Sequence, residues 1–523
     1  MGSNVQVEPP GKVDSIAAVG PEYLRTDHLT ENIGKHAVLG GVVTGGAQAA
    51  KFVLNLISAV VLARLLGPKD FGLVGMVLAV TTLLGLLKDL GLSTATVQRE
   101  IITEDQVSNL FWINVTLSGV IATLSLALAP VVARFYHDPR LIPIMLTLSV
   151  TFLLSGSTVQ HQALLTRQMR FRALAIIDVT SMLAGILTAF ALALLGFGYW
   201  ALVGQQMCLT AAGLVLTWWI SGWRPTLPRR NSGVRPLLRF GAQLTLSDVV
   251  GRISATADSI LIGRYCGAEP LGLYSRASVL LTRPLQQVLI PITSVMIPVL
   301  SRLQSDPVRY KRTFLRAYDI LALITFPFAA LCLVLSEPLV LLLLGPRWKP
   351  AAPLFAAFTL VAISLPLSLT PSWLCMSQGR GRTLFNAYSI GGAITVAAYI
   401  VGLRWGPLGV VLASAAAGIG LRLPLYYYLG GQQGPVGARD LWKGFLAYLP
   451  CWAGVYIPTA FAHRMLSHAA PFVQVLVCVP VGLVAAAAIS LSLSRPRASA
   501  LHAWSAASGL VWRQRSSRRK SRS

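Results

Sequence analysis

Long apolar runs, separated by short polar segments, make up most of this chain. Nearly all of these runs reach about 20 residues or more, the length that a helix needs to cross a hydrocarbon core about 30 Å thick. The pattern therefore predicts an all-α polytopic membrane protein. We place fourteen spans near residues 38–64, 71–93, 107–135, 141–165, 173–195, 198–221, 237–264, 271–300, 314–344, 351–377, 383–403, 407–430, 443–464 and 471–493.

An internal repeat runs through the apolar pattern. Residues 60–73 return as residues 260–273, displaced by 200 positions, and each copy is an apolar segment ending at an arginine, followed by a Gly-bounded turn. The order of later features agrees, because residues 129–132 are echoed by 337–340 and residues 195–198 by 404–407. Duplicated bundles of membrane helices are typical of transporters in which one half rocks against the other.

The repeat and the loops predict six segments along the chain. Two six-helix pseudo-repeats are joined by a Pro- and Arg-rich cytoplasmic linker, and two further spans follow them. A polar tail precedes the first repeat, and a basic tail ends the chain. The boundaries are 1–36 for the N-terminal tail, 37–221 for the first lobe, 222–236 for the linker, 237–430 for the second lobe, 431–494 for the added pair and 495–523 for the basic tail.

Composition excludes an ordinary soluble protein. The 523 residues are 54% hydrophobic and 12% charged, about half the charged fraction of a typical soluble domain. The net charge of +25 comes mostly from short loops and from the C-terminal tail. Anionic membrane lipids are therefore the expected partner of these charges, and nucleic acid is not.

The basic loops predict the orientation in the membrane. Loops after even-numbered spans contain eighteen Lys and Arg residues, whereas loops after odd-numbered spans contain nine. Basic residues are enriched on the cytoplasmic side, so both termini are expected in the cytoplasm. Residues 1–36 have no basic start before a short apolar run and are not expected to be a signal peptide. The six cysteines lack CxxC spacing, so neither a disulfide framework nor a metal site is indicated.

Polar residues within spans are the candidate functional residues, because a charge at the centre of a bilayer costs about 2.5–3.5 kcal/mol on insertion scales. Those in each span share one helix face or lie close to it. They are Gln48, Lys51 and Asn55 in the first span, Asp248, Arg252 and Asp258 in the seventh, and Arg276 and Arg283 in the eighth. Spans one and seven correspond in the repeat, so their polar faces are expected to line one central cleft.

Four of these residues predict a cationic cavity for substrate: Lys51, Arg252, Arg276 and Arg283. Arginine binds phosphate oxygens through two parallel hydrogen bonds and stays charged when buried, so a diphosphate group with attached sugars would suit this cavity. Gln48, Asn55, Asp248 and Asp258 would be polar or ion-coupling residues of the same cleft. A structural interpretation competes, because Asp248 and Arg252, four residues apart, form a pair that neutralises itself.

Five motifs of the chain carry a family resemblance: Ala63-Arg64-Leu65-Leu66-Gly67-Pro68-Lys69-Asp70-Phe71-Gly72-Leu73, Asp89-Leu90-Gly91-Leu92, Phe111-Trp112-Ile113-Asn114, Asp258-Ser259-Ile260-Leu261-Ile262-Gly263-Arg264 and Gly272-Leu273-Tyr274-Ser275-Arg276. They resemble the Wzx-type polysaccharide-export proteins of the multidrug/oligosaccharidyl-lipid/polysaccharide exporter superfamily. The resemblance covers about residues 40–430. It is stronger to exporters of lipopolysaccharide, exopolysaccharide or teichuronic acid than to drug exporters.

The resemblance implies a flippase of the bacterial cytoplasmic membrane. Such a protein moves an undecaprenyl-diphosphate-linked oligosaccharide to the outer leaflet by alternating access, driven by an ion or proton gradient. The resemblance also implies that the two six-helix repeats form V-shaped lobes. Arg276 and Asp258 lie in the matching motifs and are the residues to which the resemblance extends a role. A polysaccharide polymerase or glycosyltransferases are the partners that such a pathway supplies.

Two other functions compete with the flippase. A drug or cation antiporter on the same fold needs carboxylates in the first lobe, where Asp89 and Asp178 are the candidates. A polyprenyl-sugar transferase or polymer ligase needs a DxD-type metal motif or a large outer loop, and the sequence contains neither. We therefore predict no enzyme activity, no catalytic residue, no cofactor and no metal site.

Overall fold

A computed structural model describes residues 33–85, 88, 92–98, 102–229, 253–493 and 495–497. The regular structure of these residues is helical throughout. The chain forms two units. Of the described residues, unit 1 contains those within 33–62, 80–134 and 138–229, and unit 2 contains those within 63–79, 135–137 and 253–497. Two short stretches of the first repeat therefore belong to unit 2, and the division into the lobes 37–221 and 237–430 stays a prediction.

Unit 1 is built from the helices of the first repeat. They are α1 (Ile33–Leu65), α2 (Pro68–Gly85), α3 (Leu92–Gln98), α4 (Glu104–Tyr136), α5 (Leu141–Gly156), α6 (Val159–Arg167), α7 (Phe171–Leu194) and α8 (Trp200–Ser221). Helices α7 and α8 form an extensively packed pair, and α8 also packs on α5. The last residues of α1 and α4, and the first part of α2 (residues 68–79), belong to unit 2.

Unit 2 contains the second repeat and the C-terminal pair. Its helices are α9 (the helical residues 253–266), α10 (Ala268–Arg302), α11 (Pro307–Val334), α12 (Ser336–Leu343), α13 (Ala352–Ser377), α14 (Gly381–Gly402), α15 (Gly406–Ala417), α16 (Leu423–Gly430), α17 (Ala438–Met465) and α18 (Pro471–Ser492). Helix α10 packs along α13, and α11 packs along α17.

The predicted fold class is confirmed. Twelve helical stretches of the described residues are long and apolar enough to cross a membrane. One of them, the 50-residue stretch Gly381–Gly430, contains both predicted spans 383–403 and 407–430. The seventh predicted span, 237–264, lies largely outside the described residues. The second span, predicted as 71–93, runs past the end of α2 at Gly85 into α3, and the fourth, 141–165, covers α5 and most of α6. The remaining spans match their helices, except for the ninth.

The ninth span, predicted as 314–344, is wrong at both ends. Helix α11 begins at Pro307 and ends at Val334, and the separate short helix α12 follows it. Pro338 has no backbone N–H, so it cannot donate the hydrogen bond that would continue the ladder to the carbonyl of Val334. The apolar run of the sequence does not stop there, which is why hydropathy alone joined the two helices.

Small residues bring helices into close contact. A Cβ atom placed on Gly156 would lie 2.1 Å from the hydroxyl of Ser118, so α5 and α4 approach closely in unit 1. A Cβ on Gly402 would lie 2.4 Å from the carbonyl oxygen of Gly409, where α14 meets α15. In lipid, where water does not drive helices together, such close packing of small residues supplies the attraction between them.

The first part of the predicted linker is anchored to unit 1. Asn109 of α4 donates to the carbonyl of Arg229 at 2.7 Å and accepts from its backbone N–H at 2.9 Å. Trp112 donates to the carbonyl of Thr226 at 2.8 Å. Trp223 is buried against Phe111 in an apolar cluster. Residues 222–229 therefore pack on unit 1 as an ordered segment.

Within unit 2, an ion pair with a buried carboxylate joins the segment after α18 to α11. The side chain of Arg495, just beyond α18, makes two contacts with the Asp319 carboxylate of α11 through Nε, at 3.1 and 3.2 Å, and a third through a terminal nitrogen at 2.9 Å. Asp319 is 7% exposed. A carboxylate buried to this degree depends on its cationic partner.

Replacement of Arg495 by Ala is expected to destabilise unit 2 by about 3 kcal/mol, because removal of one partner leaves a buried charge uncompensated. The effect is measured by thermal unfolding. Alkylation reports the exposure of the buried free cysteines Cys332, Cys451 and Cys478. Arg497→Ala is the matched control, since Arg497 is exposed. Equal unfolding temperatures for the two variants would contradict a stabilising role for the ion pair.

Candidate substrate-binding residues

The candidates in the first span face helix α7 within unit 1. Lys51 Nζ lies 2.8 Å from a carboxylate oxygen of Asp178. Asn55, one turn further along α1, donates to the sulfur of Met182 at 3.8 Å. The positive charge of Lys51 is therefore neutralised by an acidic neighbour, which the sequence analysis did not assign to it.

Lys51, Asn55 and Asp178 line a cavity of about 460 Å³ in unit 1. Helices α5, α7 and α8 supply most of its other walls. Gln48, the third candidate in the first span, is exposed and does not line this cavity.

The candidate arginines of the eighth span lie on α10 in unit 2. The guanidinium carbon of Arg276 is 4.1 Å from the ring centroid of Phe71, a short cation–π contact. Its Nε is buried without a hydrogen-bond partner among the described residues. Arg283, seven residues further along the same helix face, is exposed. None of the ion pairs within the described ranges includes either arginine.

Phe71 itself is held firmly. It is 3% exposed, and its ring meets Trp348 edge to face with the centroids 5.4 Å apart. The indole of Trp348 donates to the carbonyl of Ala63 at 2.7 Å. The aromatic ring that covers Arg276 is thus buried and packed against Trp348, and a cation at this place is stabilised without a carboxylate among the described residues.

Asp258 of α9 is a hydrogen-bonded carboxylate. One oxygen accepts from the hydroxyl of Tyr274 at 2.7 Å, and the other accepts from the backbone N–H of Ser259 at 2.6 Å. Tyr274 is 3% exposed. The coupling role suggested for Asp258 stays a prediction. Asp248 and Arg252 lie outside the described residues.

The repeated motif forms a symmetric contact within unit 2. A Cβ on Gly72 would lie 1.6 Å from the carbonyl oxygen of Ala268, and a Cβ on Gly272 would lie 1.8 Å from that of Pro68. Positions 72 and 272, and positions 68 and 268, are equivalent in the repeat. The beginnings of α2 and α10 therefore approach each other so closely that neither glycine has room for a side chain.

Sequence analysis missed two residues that make polar or cation–π contacts within the membrane spans. Phe71 is an apolar residue of the repeated motif, and nothing in its pattern indicates that it covers Arg276. Arg422 lies in a π-helical segment, Gly418–Arg422, and donates to the hydroxyl of Thr395 at 2.8 Å. An arginine within the apolar run of the twelfth span was the available signal, since such residues are rare in spans.

Lys51 and Arg276 belong to different units, so their shared cleft stays a prediction. In each unit, charged groups occupy intramembrane positions, and such groups in helical membrane proteins mark substrate or ion pathways. Together with the duplicated helices, this defines the class of protein as a polytopic membrane transporter.

The chain belongs to the polysaccharide biosynthesis protein family, whose sequence pattern matches residues 61–353. The teichuronic acid biosynthesis protein TuaB of Bacillus subtilis is 28% identical over 59% of this chain and 68% of its own. The amylovoran biosynthesis protein AmsL of Erwinia amylovora is 30% identical over 57% of this chain and 77% of its own. The lipopolysaccharide biosynthesis protein WzxC of Escherichia coli is 25% identical over 69% and 74%. The expected resemblance to Wzx-type proteins is confirmed.

Solved structures with the same fold include two transporters. The lipid II flippase MurJ, in an inward closed conformation, has a TM-score of 0.68 at 16% identity, over 86% of this chain and 99% of its own. An inward-facing multidrug resistance transporter of the MATE family has a TM-score of 0.55 at 15% identity, over 76% and 93%. At these identities the likeness shows the fold.

Proposed function

We propose that this protein is a flippase. It moves a polyprenyl-diphosphate-linked oligosaccharide across the bacterial cytoplasmic membrane by alternating access, during the synthesis of a surface polysaccharide. The observation that carries the proposal is membership of the polysaccharide biosynthesis family. Relatives named for the synthesis of four different surface glycans, including a succinoglycan biosynthesis transport protein of Rhizobium meliloti at 27% identity, support it.

The charges of unit 2 suit the diphosphate of this substrate. Arg276 and Arg283 lie on one face of α10, and no ion pair of the described residues neutralises them. Arginine donates two parallel hydrogen bonds to phosphate oxygens. We assign the diphosphate to these two arginines.

A drug or cation antiporter is the alternative on this fold. Binding of a cation requires an available carboxylate, but Asp178 in unit 1 is paired with Lys51 at 2.8 Å. Asp89 lies outside the described residues. No contact among the described residues of unit 1 favours a cationic substrate over an anionic lipid, so the flippase is the better supported function. We propose no transfer chemistry.

The proposed topology follows the distribution of basic residues. Loops with eighteen Lys and Arg residues would face the cytoplasm, against nine on the other side, which places both termini in the cytoplasm. The basic tail 495–523 would then contact anionic lipids of the inner leaflet. A polymerase or glycosyltransferases of the same pathway are the proposed protein partners.

Reconstitution tests the function directly. Proteoliposomes with the purified protein and undecaprenyl-diphosphate oligosaccharide in the inner leaflet are expected to expose the sugar to an external lectin faster than protein-free liposomes. Deletion of the gene is expected to abolish surface polysaccharide, and the wild-type gene to restore it. Raised drug tolerance on overexpression, with no lectin exposure and unaltered polysaccharide, would favour the antiporter instead.

A further inference from the structure

The cavity of unit 1 has an unusually polar wall for a membrane-embedded site. Eleven of its fifteen lining residues carry polar side chains, and the other four are Ile177, Met182, Leu209 and Gly213. Polar side chains inside a membrane protein are costly and mark functional sites. A volume of about 460 Å³ falls within the range of small-molecule sites, about 300–1,000 Å³.

Three charged residues line this cavity: Lys51, Lys88 and Asp178. The carboxylate of Asp178 disfavours a diphosphate beside Lys51. Lys51 and Asp178 form an ion pair at 2.8 Å, with both side chains partly exposed. A strong anion at Lys51 would have to displace or repel the Asp178 carboxylate. The pair instead presents a fixed carboxylate that accepts hydrogen bonds and an ammonium group that donates them, with little net charge.

The neutral side chains of the cavity retain hydrogen-bonding capacity. Gln205 donates to the hydroxyl of Ser58 at a long 3.4 Å, and Asn55 donates to the weakly accepting sulfur of Met182 at 3.8 Å. An amide offers two donors and a carbonyl acceptor, so the acceptors of both residues are not used by these bonds. Gln206 adds a third amide to the same wall.

One buried hydroxyl in the wall lacks a partner. Ser181 is 4% exposed, lines the cavity, and its Oγ has no hydrogen-bond partner among the described residues. Buried polar atoms are rarely left unsatisfied. A ligand that both donates and accepts hydrogen bonds, as a sugar hydroxyl does, would satisfy this group and the amides together.

We propose that this cavity of unit 1 binds the carbohydrate of the transported lipid, through amide and hydroxyl contacts with neutral sugar rings, whereas Arg276 and Arg283 bind the diphosphate. This inference rests on the proposed flippase function and divides its substrate between two binding places. Lys51 then acts by holding Asp178 in position as an acceptor for sugar hydroxyls. Substrates with different glycans would be distinguished in unit 1.

Binding of two lipids to the purified full-length protein tests the division. The probes are undecaprenyl diphosphate and the undecaprenyl-diphosphate oligosaccharide extracted from the producing bacterium. The wild type is expected to bind the sugar-bearing lipid more tightly. The double variant Gln205→Leu/Gln206→Leu is expected to weaken that binding about tenfold, since two neutral hydrogen-bonding groups are lost, and to leave undecaprenyl diphosphate binding unchanged.

A matched pair of threonines controls for folding. Thr210 lines the cavity and donates to the carbonyl of Gln206 at 2.8 Å, while Thr188 on α7 makes the same kind of backbone bond to Ala184 at 2.9 Å but does not line the cavity. Thr210→Val is expected to weaken binding of the sugar-bearing lipid about threefold through loss of one hydrogen-bonding group, and Thr188→Val to have no effect. If the double variant fails to fold, the comparison of Thr210→Val with Thr188→Val tests whether the cavity binds the carbohydrate.

Several results would overturn the inference. Equal weakening of both lipids by the folded double variant, or no weakening of either, would show that the cavity does not bind the carbohydrate. Equal effects of Thr210→Val and Thr188→Val would show the same. If the wild type transports the sugar-bearing lipid in these cases, the flippase function is retained and the proposed carbohydrate site is rejected. If the wild type transports no such lipid, the proposed function fails first.

Discussion

Export of the surface polysaccharide is expected to be lost when Arg276 is replaced by Ala, with normal amounts of protein in the membrane. The guanidinium lies 4.1 Å from the Phe71 ring, and no carboxylate within the described ranges neutralises it. A charge-assisted hydrogen bond contributes about 1.5–3 kcal/mol, so loss of a bidentate pair to the diphosphate is expected to slow flipping by about 100-fold. Lectin exposure in proteoliposomes measures the rate.

Controls on the same cluster separate charge from packing. Arg302→Ala removes an exposed arginine at the end of the same helix and is expected to leave transport unchanged. Phe71→Leu introduces the residue found at the equivalent position of the second repeat, Leu271, and keeps the Arg276 charge. The variant loses a cation–π contact of about 1–2 kcal/mol. It keeps the guanidinium that binds phosphate, so it is expected to retain diphosphate binding. Full export by Arg276→Ala would remove the argument for a cationic phosphate site.

A side chain at Gly72 or Gly272 is expected to disrupt unit 2. The added Cβ would lie 1.6 Å from the Ala268 carbonyl oxygen or 1.8 Å from that of Pro68, and backbone atoms cannot rotate away. Overpacking of this kind costs about 1–3 kcal/mol. Gly72→Ala and Gly272→Ala should therefore lower the unfolding temperature and transport rate, although Ala is the better helix former by about 1 kcal/mol.

Gly75 supplies the control for this prediction. It lies on the same helix as Gly72, but a Cβ there would be 3.7 Å from the nearest Leu271 carbon, an ordinary contact. Gly75→Ala is therefore expected to be neutral or stabilising. If all three alanine variants unfold at the same temperature and transport equally, the close approach of α2 and α10 is not a feature of the folded protein.

The two copies of the duplicated motif make equivalent contacts at one end of the motif and different contacts at the other. At Gly72 and Gly272 the two copies make equivalent contacts, so the symmetry of the sequence persists in the structure. At Arg64, the equivalent of Arg264, it does not: Arg64 donates to the carbonyl of Leu342 near the end of α12, whereas Arg264 lies over the rings of Phe135 and Tyr265. Equivalent positions thus bind different partners, since the surrounding segments differ.

The sequence by itself determined the membrane class, the helical fold and most helix positions, because a span must be long, apolar and internally hydrogen-bonded. It also indicated Lys51 and Arg276 as costly charges that need a purpose or a partner. Only the tertiary structure decided between those outcomes, by placing Asp178 beside Lys51 across 127 positions and Phe71 beside Arg276. Hydropathy records whether a residue tolerates lipid, whereas the partner of a buried charge depends on which helices pack together.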